Sequence, residues 1–352
     1  MRSIFIGSTG GEPGQTLVTW ALATRLRDRG LRVGFFKPYG LLPDVSSTAG
    51  GGLCDADVLL LQKVLELKEG EELLCPVTLT QNLVSELEVE DAAPLLEKIQ
   101  GAFWKIAEDK DVVLIMGAKE IFFGGGHSNL SDSILVKLFD ASVLLVDRYQ
   151  RDNMTFYSLL SLNSFLDGRV KSAVLNHVPA DKMDHVRTKV IPFLQSKTLK
   201  SALAVPEDSV LAAQTVSTLA ALVEGEMLCC PEAGKNLVES STIGSKHLDG
   251  SLAVFKQVYN KILLVGSRHG EKQKTIAGII LTGGKAPGEL VLRISREGSI
   301  PLILTRNDTF QAMEKLEKTK PALEWKDQFK VQRFLELIGR EPGAEGWVEA
   351  LL

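Results

Sequence analysis

The chain has 352 residues, 45% hydrophobic and 24% charged, with a formal net charge of −4. That length allows two domains with buried cores, and the charge balance offers no footprint for nucleic acid or an anionic membrane. No apolar run approaches the ~20 residues that span a bilayer, and the chain opens on a short apolar strand rather than a signal-peptide pattern, so a cytoplasmic protein is expected.

The first element is a strand at Ile4–Ile6. A glycine-rich loop follows, Gly7-Ser8-Thr9-Gly10-Gly11-Glu12-Pro13-Gly14-Gln15-Thr16, and then an apolar-periodic helix over Thr16–Arg29 stopped by Gly30. Strand, loop and helix in this order are the setting of a phosphate loop. There backbone N–H groups wrap the phosphates, a lysine reaches the outer ones and a Ser/Thr hydroxyl serves Mg²⁺. Thr16 keeps the hydroxyl, but Gln15 stands where the lysine belongs and Thr9 where the first glycine belongs. A carboxamide donates a hydrogen bond but neutralises no charge. Nucleotide-contacting candidates in the loop are therefore Gly7, Ser8, Thr9, Gly10, Gly11, Gly14, Gln15 and Thr16.

A second strand at Arg32–Phe36 runs into Lys37-Pro38. A lysine at the carboxyl end of a parallel strand points at the crevice where open α/β sheets bind ligands, so Lys37 is a candidate partner for the phosphates. Beyond the Thr48–Gly52 segment a helix is expected over Asp55–Leu67, with Asp55 as its N-cap. Asp57 is left as a candidate for Mg²⁺ alongside Thr16. Another helix is expected over Asp91–Ala107, opened by Asp91. It leads to the very apolar strand Val112–Met116, where Met116 occupies a position suited to an acidic residue. Glu120 and His127, the latter after Gly124-Gly125-Gly126, lie at the same end of the sheet, and a loop role is favoured for both. Helices over Ser131–Leu138, Asn153–Leu166 and Asp181–Leu194 alternate with strands at Ser142–Val146, Val170–Leu175 and Ala202–Val205. Asn176, at one strand end, is a candidate reader of an adenine edge. The alternation predicts a doubly wound, mainly parallel sheet.

A boundary is expected near 224–250, giving domains over 1–225 and 248–352 joined by a linker over 226–247. The second, smaller α/β domain has predicted strands at Ile262–Val265, Gly278–Leu281 and Leu302–Leu304. Only Ser267 to Ile276 remains for a short intervening helix. Helices are expected over Pro287–Glu297 and Thr309–Lys318, and an amphipathic C-terminal one over Lys326–Ile338. Thr282-Gly283-Gly284 reads as a tight turn or as a close approach to a ligand. Cys54, Cys75, Cys229 and Cys230 have no zinc-ligand spacing and read as free thiols of a reducing compartment.

The loop Gly7–Thr16, Lys37-Pro38, Asp55 with Asp57, the run from Val113 to Ala118, and Asn176-His177-Val178-Pro179 together resemble the dethiobiotin synthetase and cobyrinic acid diamide synthase group of phosphate-loop proteins. The segments Ile279–Gly284, Ile300–Leu304 and Asp308-Thr309 resemble a DRTGG domain. The pairing is similar to the N-terminal, regulatory part of long phosphotransacetylases. The resemblance implies ATP or another nucleotide with Mg²⁺, a homo-oligomer, and a partner enzyme of acetate or central metabolism. It departs from the group at Gln15 and Met116, and at Ser267 before Arg268, where the domain's naming Asp falls. The leading expectation is a regulatory sensor of a nucleotide or other phosphorylated ligand, weakly catalytic or non-catalytic. An ATP-dependent ligase using Lys37, Thr16 and Asp57, or a purely structural assembly protein, are the alternatives. No acetyl transfer is expected of these residues.

Overall fold

The computed structural model describes residues 1–10, 14–41, 45–47, 53–79, 92–118, 121, 130–244, 255–256, 258, 260–267, 274–318 and 323–352. The chain divides into two compact units, Met1–Glu207 with Leu323–Leu352, and Asp208–Ala322.

The first unit is built on β1 (Arg2–Ser8), α1 (Gln15–Asp28), β2 (Val33–Phe36), α2 (Ala56–Val64), α3 (Ala93–Ala107), β3 (Val112–Met116), α4 (Asp132–Leu138), β4 (Ser142–Arg148), α5 (Asp152–Phe165), β5 (Val170–Val178), α6 (Ile191–Lys197) and β6 (Ser201–Pro206). The six strands form one sheet in the order β6-β5-β4-β1-β3-β2, and every neighbouring pair is parallel. The doubly wound, mainly parallel reading holds. β3 is buried along its whole length, the signature of a strand covered on both faces. Because β2 lies two places from β1 on one side and β4 adjoins it on the other, the order reverses at β1. Its carboxyl end is therefore the topological switch point, where such sheets bind ligands.

α1 buries Val18, Ala21, Leu22 and Leu26 along one face. Gly30 ends it at φ +77, the left-handed conformation that glycine adopts without steric cost. Asp55 caps α2 as expected, accepting the Asp57 N–H. α3 begins at Ala93 behind Ala92, with a proline in its first turn and no side-chain cap; Asp91 lies outside the described residues. The helix expected over Asp181–Leu194 is a broken stretch instead. A 3-10 turn at Ala180–Lys182 and a π segment at Val186–Val190 precede α6, and Pro192, lacking an N–H, falls in the first turn of that last piece.

The second unit contains α7 (Val216–Leu222), β7 (Glu226–Cys229), β8 (Ser240–Ile243), β9 (Lys261–Ser267), β10 (Lys274–Leu281), α8 (Glu289–Glu297), β11 (Leu302–Leu304) and α9 (Thr309–Lys318). Its sheet runs β7-β11-β10-β9-β8, with only β10 and β11 parallel. Two expectations change here. β9 and β10 are antiparallel, with Ser267 opposite Lys274, so Ser267 and Lys274 to Ile276 of the expected helical stretch are strand; residues 268–273 lie outside the described residues. Glu226–Cys229 and Ser240–Ile243, expected in a linker over 226–247, are β7 and β8 of this sheet. Between those strands Pro231–Asn236 form a 3-10 turn and its cap. The division falls before α7 rather than at 225, since Val216, Leu219, Ala220 and Val223 belong to this unit's core. Both Thr305 Oγ1 and Asn307 Nδ2 also donate to the Val223 carbonyl.

α10 (Gln328–Gly339) and α11 (Gly346–Glu349) then return to the first unit. The C-terminal helix expected in the second domain thus packs on α1 and β6. Phe334 and Trp347 are fully buried there, and Arg187 holds the buried Glu341 through two hydrogen bonds of 3.0 and 2.5 Å.

Candidate functional site at the switch point

Gln15 is buried and turned inward. Its Nε2 donates to the Ile6 carbonyl at 2.7 Å and to the Gly117 carbonyl at 3.4 Å. The side chain, expected at a phosphate, ties the ends of β1 and β3 together here. A lysine carries an ammonium that is strongly hydrated and seeks anions; a carboxamide satisfies two carbonyls inside the fold at far lower desolvation cost.

The charged groups gather around Lys37. Thr16 Oγ1 donates to Asp57 Oδ1 at 2.8 Å. Lys37 Nζ donates to Asp55 Oδ1 at 2.9 Å and to Asp57 Oδ2 at 3.0 Å. Lys37 is 5% exposed and Asp55 2%. Burial works against the Lys37 ammonium, but the carboxylates of Asp57 and Asp55 outweigh it and hold its pKa above the ordinary value. Burial pushes the Asp55 carboxyl upward, and the Lys37 ammonium opposes that shift. The sequence-predicted Thr16, Lys37, Asp55 and Asp57 thus form a single connected network. Their oxygen donors suit a hard cation; among the described residues there is no group of three or more His, Cys, Asp or Glu arranged to hold a metal.

Two carboxylates escaped the sequence reading. Asp132, at the start of α4, is fully buried. It accepts the Tyr39 hydroxyl at 2.7 Å and the Ala118 N–H at 3.0 Å. Burial raises its pKa to about 7 against the lowering effect of those donors and of Lys37. Gly117 is required beside it, because a Cβ there would lie 2.5 Å from Asp132 Oδ2 and 2.6 Å from the Phe5 ring. Asp147, in β4, accepts from Thr9 Oγ1 and from Thr155 Oγ1, the latter at 2.8 Å. A cleft opens at this point, lined by Thr9, Gly10, Asp147, Arg148, Gln150, Met154 and Thr155. Asp147 was legible as the first charge after the apolar run from Val143 to Val146; nothing in the sequence links Asp132 to Tyr39.

Of the remaining candidates, Gly7 packs against Ile121 and Leu145 so closely that a Cβ would come within 2.9 Å of Ile121 Cδ1. Ser8 Oγ donates to the Gly10 carbonyl at 2.6 Å. Gly14 precedes α1 at φ +92, and the Asn176 Nδ2 lies 2.8 Å from where its Cβ would be. Asn176 therefore abuts the loop, with its Oδ1 accepting the His177 N–H at 2.9 Å. Met116 is buried and uncharged at the end of β3. Gly11, Glu120, Gly124 to His127 and Arg268 lie outside the described residues. In the second unit Gly283 and Gly284 take φ +82 and +68. Their N–H groups donate to the carbonyls of Asn307 and Thr305, so the close approach is to this chain's own backbone.

A family model described as an AAA domain, AAA_26, matches residues 2–224. The chain belongs to this family. A DRTGG domain model matches residues 218–319, which bears out the expected pairing, and the two spans overlap within the part of the chain assigned to the second unit. The chain is 21% identical over 374 aligned positions to a phosphate acetyltransferase from Pseudomonas aeruginosa, covering 96% of this chain and 50% of that protein. It thus spans about half the length of that relative and resembles the N-terminal part of phosphotransacetylases. Among solved structures, the MinD cell division protein of Aquifex aeolicus aligns with a TM-score of 0.33 at 16% identity, covering 60% of this chain and 84% of that one. The septum site-determining protein MinD of Pyrococcus horikoshii, complexed with Mg-ADP, aligns with a TM-score of 0.32 at 15% identity over 60% and 83%. The fold class stands on the strand order itself. No described helix is long and apolar enough to cross a membrane.

Proposed function

We propose that this protein senses a nucleotide or another phosphorylated metabolite at the carboxyl end of β1 and regulates a partner enzyme or its own assembly, without efficient turnover. The observation that carries this reading is the inward Gln15. The phosphate-loop position with the greatest electrostatic leverage on a transferring phosphoryl group is committed to the Ile6 and Gly117 carbonyls, while the sequence keeps the glycines Gly7, Gly10, Gly11 and Gly14 and the Thr16 hydroxyl. Met116 adds to it, since the last residue of β3 carries no charge with which to orient an attacking water. Loss of such preorganised groups removes what is ordinarily a large share of catalysis. Where Mg²⁺ accompanies the ligand, Thr16 and Asp57 are the residues that would hold it, and it would supply the positive charge that Gln15 lacks. Lys37 supports binding rather than ligation, since its ammonium is already shared by two carboxylates. Asn176, beside Gly14, would be the group that contacts a base.

The test is the melting temperature with and without ATP, ADP and GTP, each with and without Mg²⁺. A ligand at ~100 times its dissociation constant, binding only the folded state, adds about 2.7 kcal/mol. A rise that disappears in Thr16→Ala supports the reading. No rise with any nucleotide or phosphometabolite sinks it, and rapid ADP release would convert the protein from sensor to enzyme.

A further inference from the structure

Of the groups expected to meet a phosphate's charge, Gln15 is neutral and turned inward, and the Lys37 ammonium is shared by Asp55 and Asp57. One cation beside the loop is uncommitted. Arg148 is the last residue of β4 and is exposed, whereas residues 143–147 before it are buried. It lines the same cleft as Thr9 and Gly10 of the loop. Among the described residues it makes neither an ion pair nor a side-chain hydrogen bond.

The strands fix where this residue stands. β4 adjoins β1 in register, with Ser8 opposite Val146, and the Thr9 N–H donates to the Val146 carbonyl at 3.2 Å. On its other side Arg148 lies opposite Asn176 of β5, and the next residue, Tyr149, donates its N–H to the Asn176 carbonyl at 2.9 Å. Arg148 is thus set between the loop and the residue assigned to a base. The adjacent carboxylate does not neutralise it. Asp147 is 5% exposed and accepts the Thr9 and Thr155 hydroxyls, which ties the loop to β4 and α5. Burial, and after it the Arg148 charge, hold the His177 imidazole below its ordinary pKa, so the field of the guanidinium reaches the end of β5. A guanidinium presents a rigid fork of N–H donors that matches two oxygens of one phosphoryl group, which a carboxamide cannot do.

We propose that Arg148 is the phosphate-binding cation of this cleft, making a bidentate contact to a terminal phosphoryl group of the ligand on the loop. The inference deepens the functional reading above and rests on it. The positive charge that the phosphate-loop pattern places within the loop comes here from the end of the neighbouring strand. The ligand is then a nucleotide or another phosphorylated metabolite with a phosphoryl group whose oxygens are free to meet the fork.

The test is isothermal titration calorimetry of the full chain with Mg-ATP, Mg-ADP and magnesium pyrophosphate, the last offering phosphoryl groups without a base. Arg148→Met should weaken binding of all three roughly 10- to 100-fold, the loss of a charged two-bond contact. Arg148→Lys keeps the charge without the fork and should fall between. Because the side chain is exposed and unpaired, both variants should keep the wild-type melting temperature in the absence of ligand. Arg151, exposed just before α5 and not lining the cleft, is the control for a general field. Arg151→Met should change each dissociation constant less than about twofold in physiological salt. Wild-type affinity in Arg148→Met, equal losses in Arg148→Met and Arg151→Met, or a loss confined to the two nucleotides each overturns the inference and leaves the functional reading standing. No binding of any of the three probes to the wild-type chain overturns both.

Discussion

Replacing Asp132 by Asn should stabilise the protein at alkaline pH and change little in mild acid. The wild-type carboxyl is fully buried, and its pKa of about 7 compares with 3.8 for an unburied carboxyl. An acid whose folded value is raised holds its proton more tightly in the folded state. Its favourable contribution is therefore present at low pH, falls as pH climbs from about 4 to about 7, and is level above that. With each pH unit of displacement worth about 1.4 kcal/mol, the loss across that window is about 4 kcal/mol. Asn fits the same space. Its carbonyl can accept the Ala118 N–H and its amide can donate to the Tyr39 oxygen, replacing the contacts at 3.0 and 2.7 Å. The assay is urea unfolding of the first unit's transition for both proteins between pH 5 and 8.5. The variant should lose most of the decline and gain up to about 4 kcal/mol at pH 8. A wild-type protein with no decline across pH 5–7, or an Asn variant less stable than wild type at pH 8, refutes the reasoning.

Lys37→Met leaves the Asp55 carboxylate buried without its cation and should cost about 3–5 kcal/mol near pH 7. The cost should shrink in acid, where Asp55 protonates, and an equal cost at pH 4.5 and 7 in urea unfolding would contradict the pairing. Gly117→Ala drives a methyl group into Asp132 and the Phe5 ring and should cost about 1–3 kcal/mol; a wild-type unfolding midpoint would show the site to be looser than described. Trp347→Ala should lower the first unit's stability by about 3–5 kcal/mol, read from chemical denaturation, and leave the second unit's transition in place. Loss from the second transition alone would show that the C-terminal segment belongs there.

The parallel sheet was legible because β1 to β6 are short apolar runs spaced by amphipathic stretches, each ending at a charge or turn residue. The second unit was less so. Lys274 and Thr275 lie ahead of the apolar run Ile276–Leu281 and look like the end of a connection, yet they are the first residues of β10; local pattern does not report pairing direction. The site divides in the same way. Thr16, Lys37, Asp55 and Asp57 lie on segments whose order in the chain marks them. Asp132, by contrast, resembles any acidic residue in a helix's first turn, and only the sheet brings it to Tyr39. Gln15 was visible as an exception to a pattern, but its orientation follows from two backbone carbonyls, which carry no signature in side-chain identity.

The return of residues 323–352 to the first unit has a consequence during synthesis. Although the ribosome makes the parallel sheet first, the face that α10 and α11 cover stays exposed until residues past 347 emerge. At roughly 5–20 residues per second, the interval after Glu207 is on the order of 7–30 s. During that time the newly made α1 and β6 present apolar surface to whatever is nearby, and the second unit, a continuous stretch of chain, can fold inside this window. Chaperone engagement of the nascent chain should therefore persist past the sheet's last strand and end only when Trp347 and Val348 have docked.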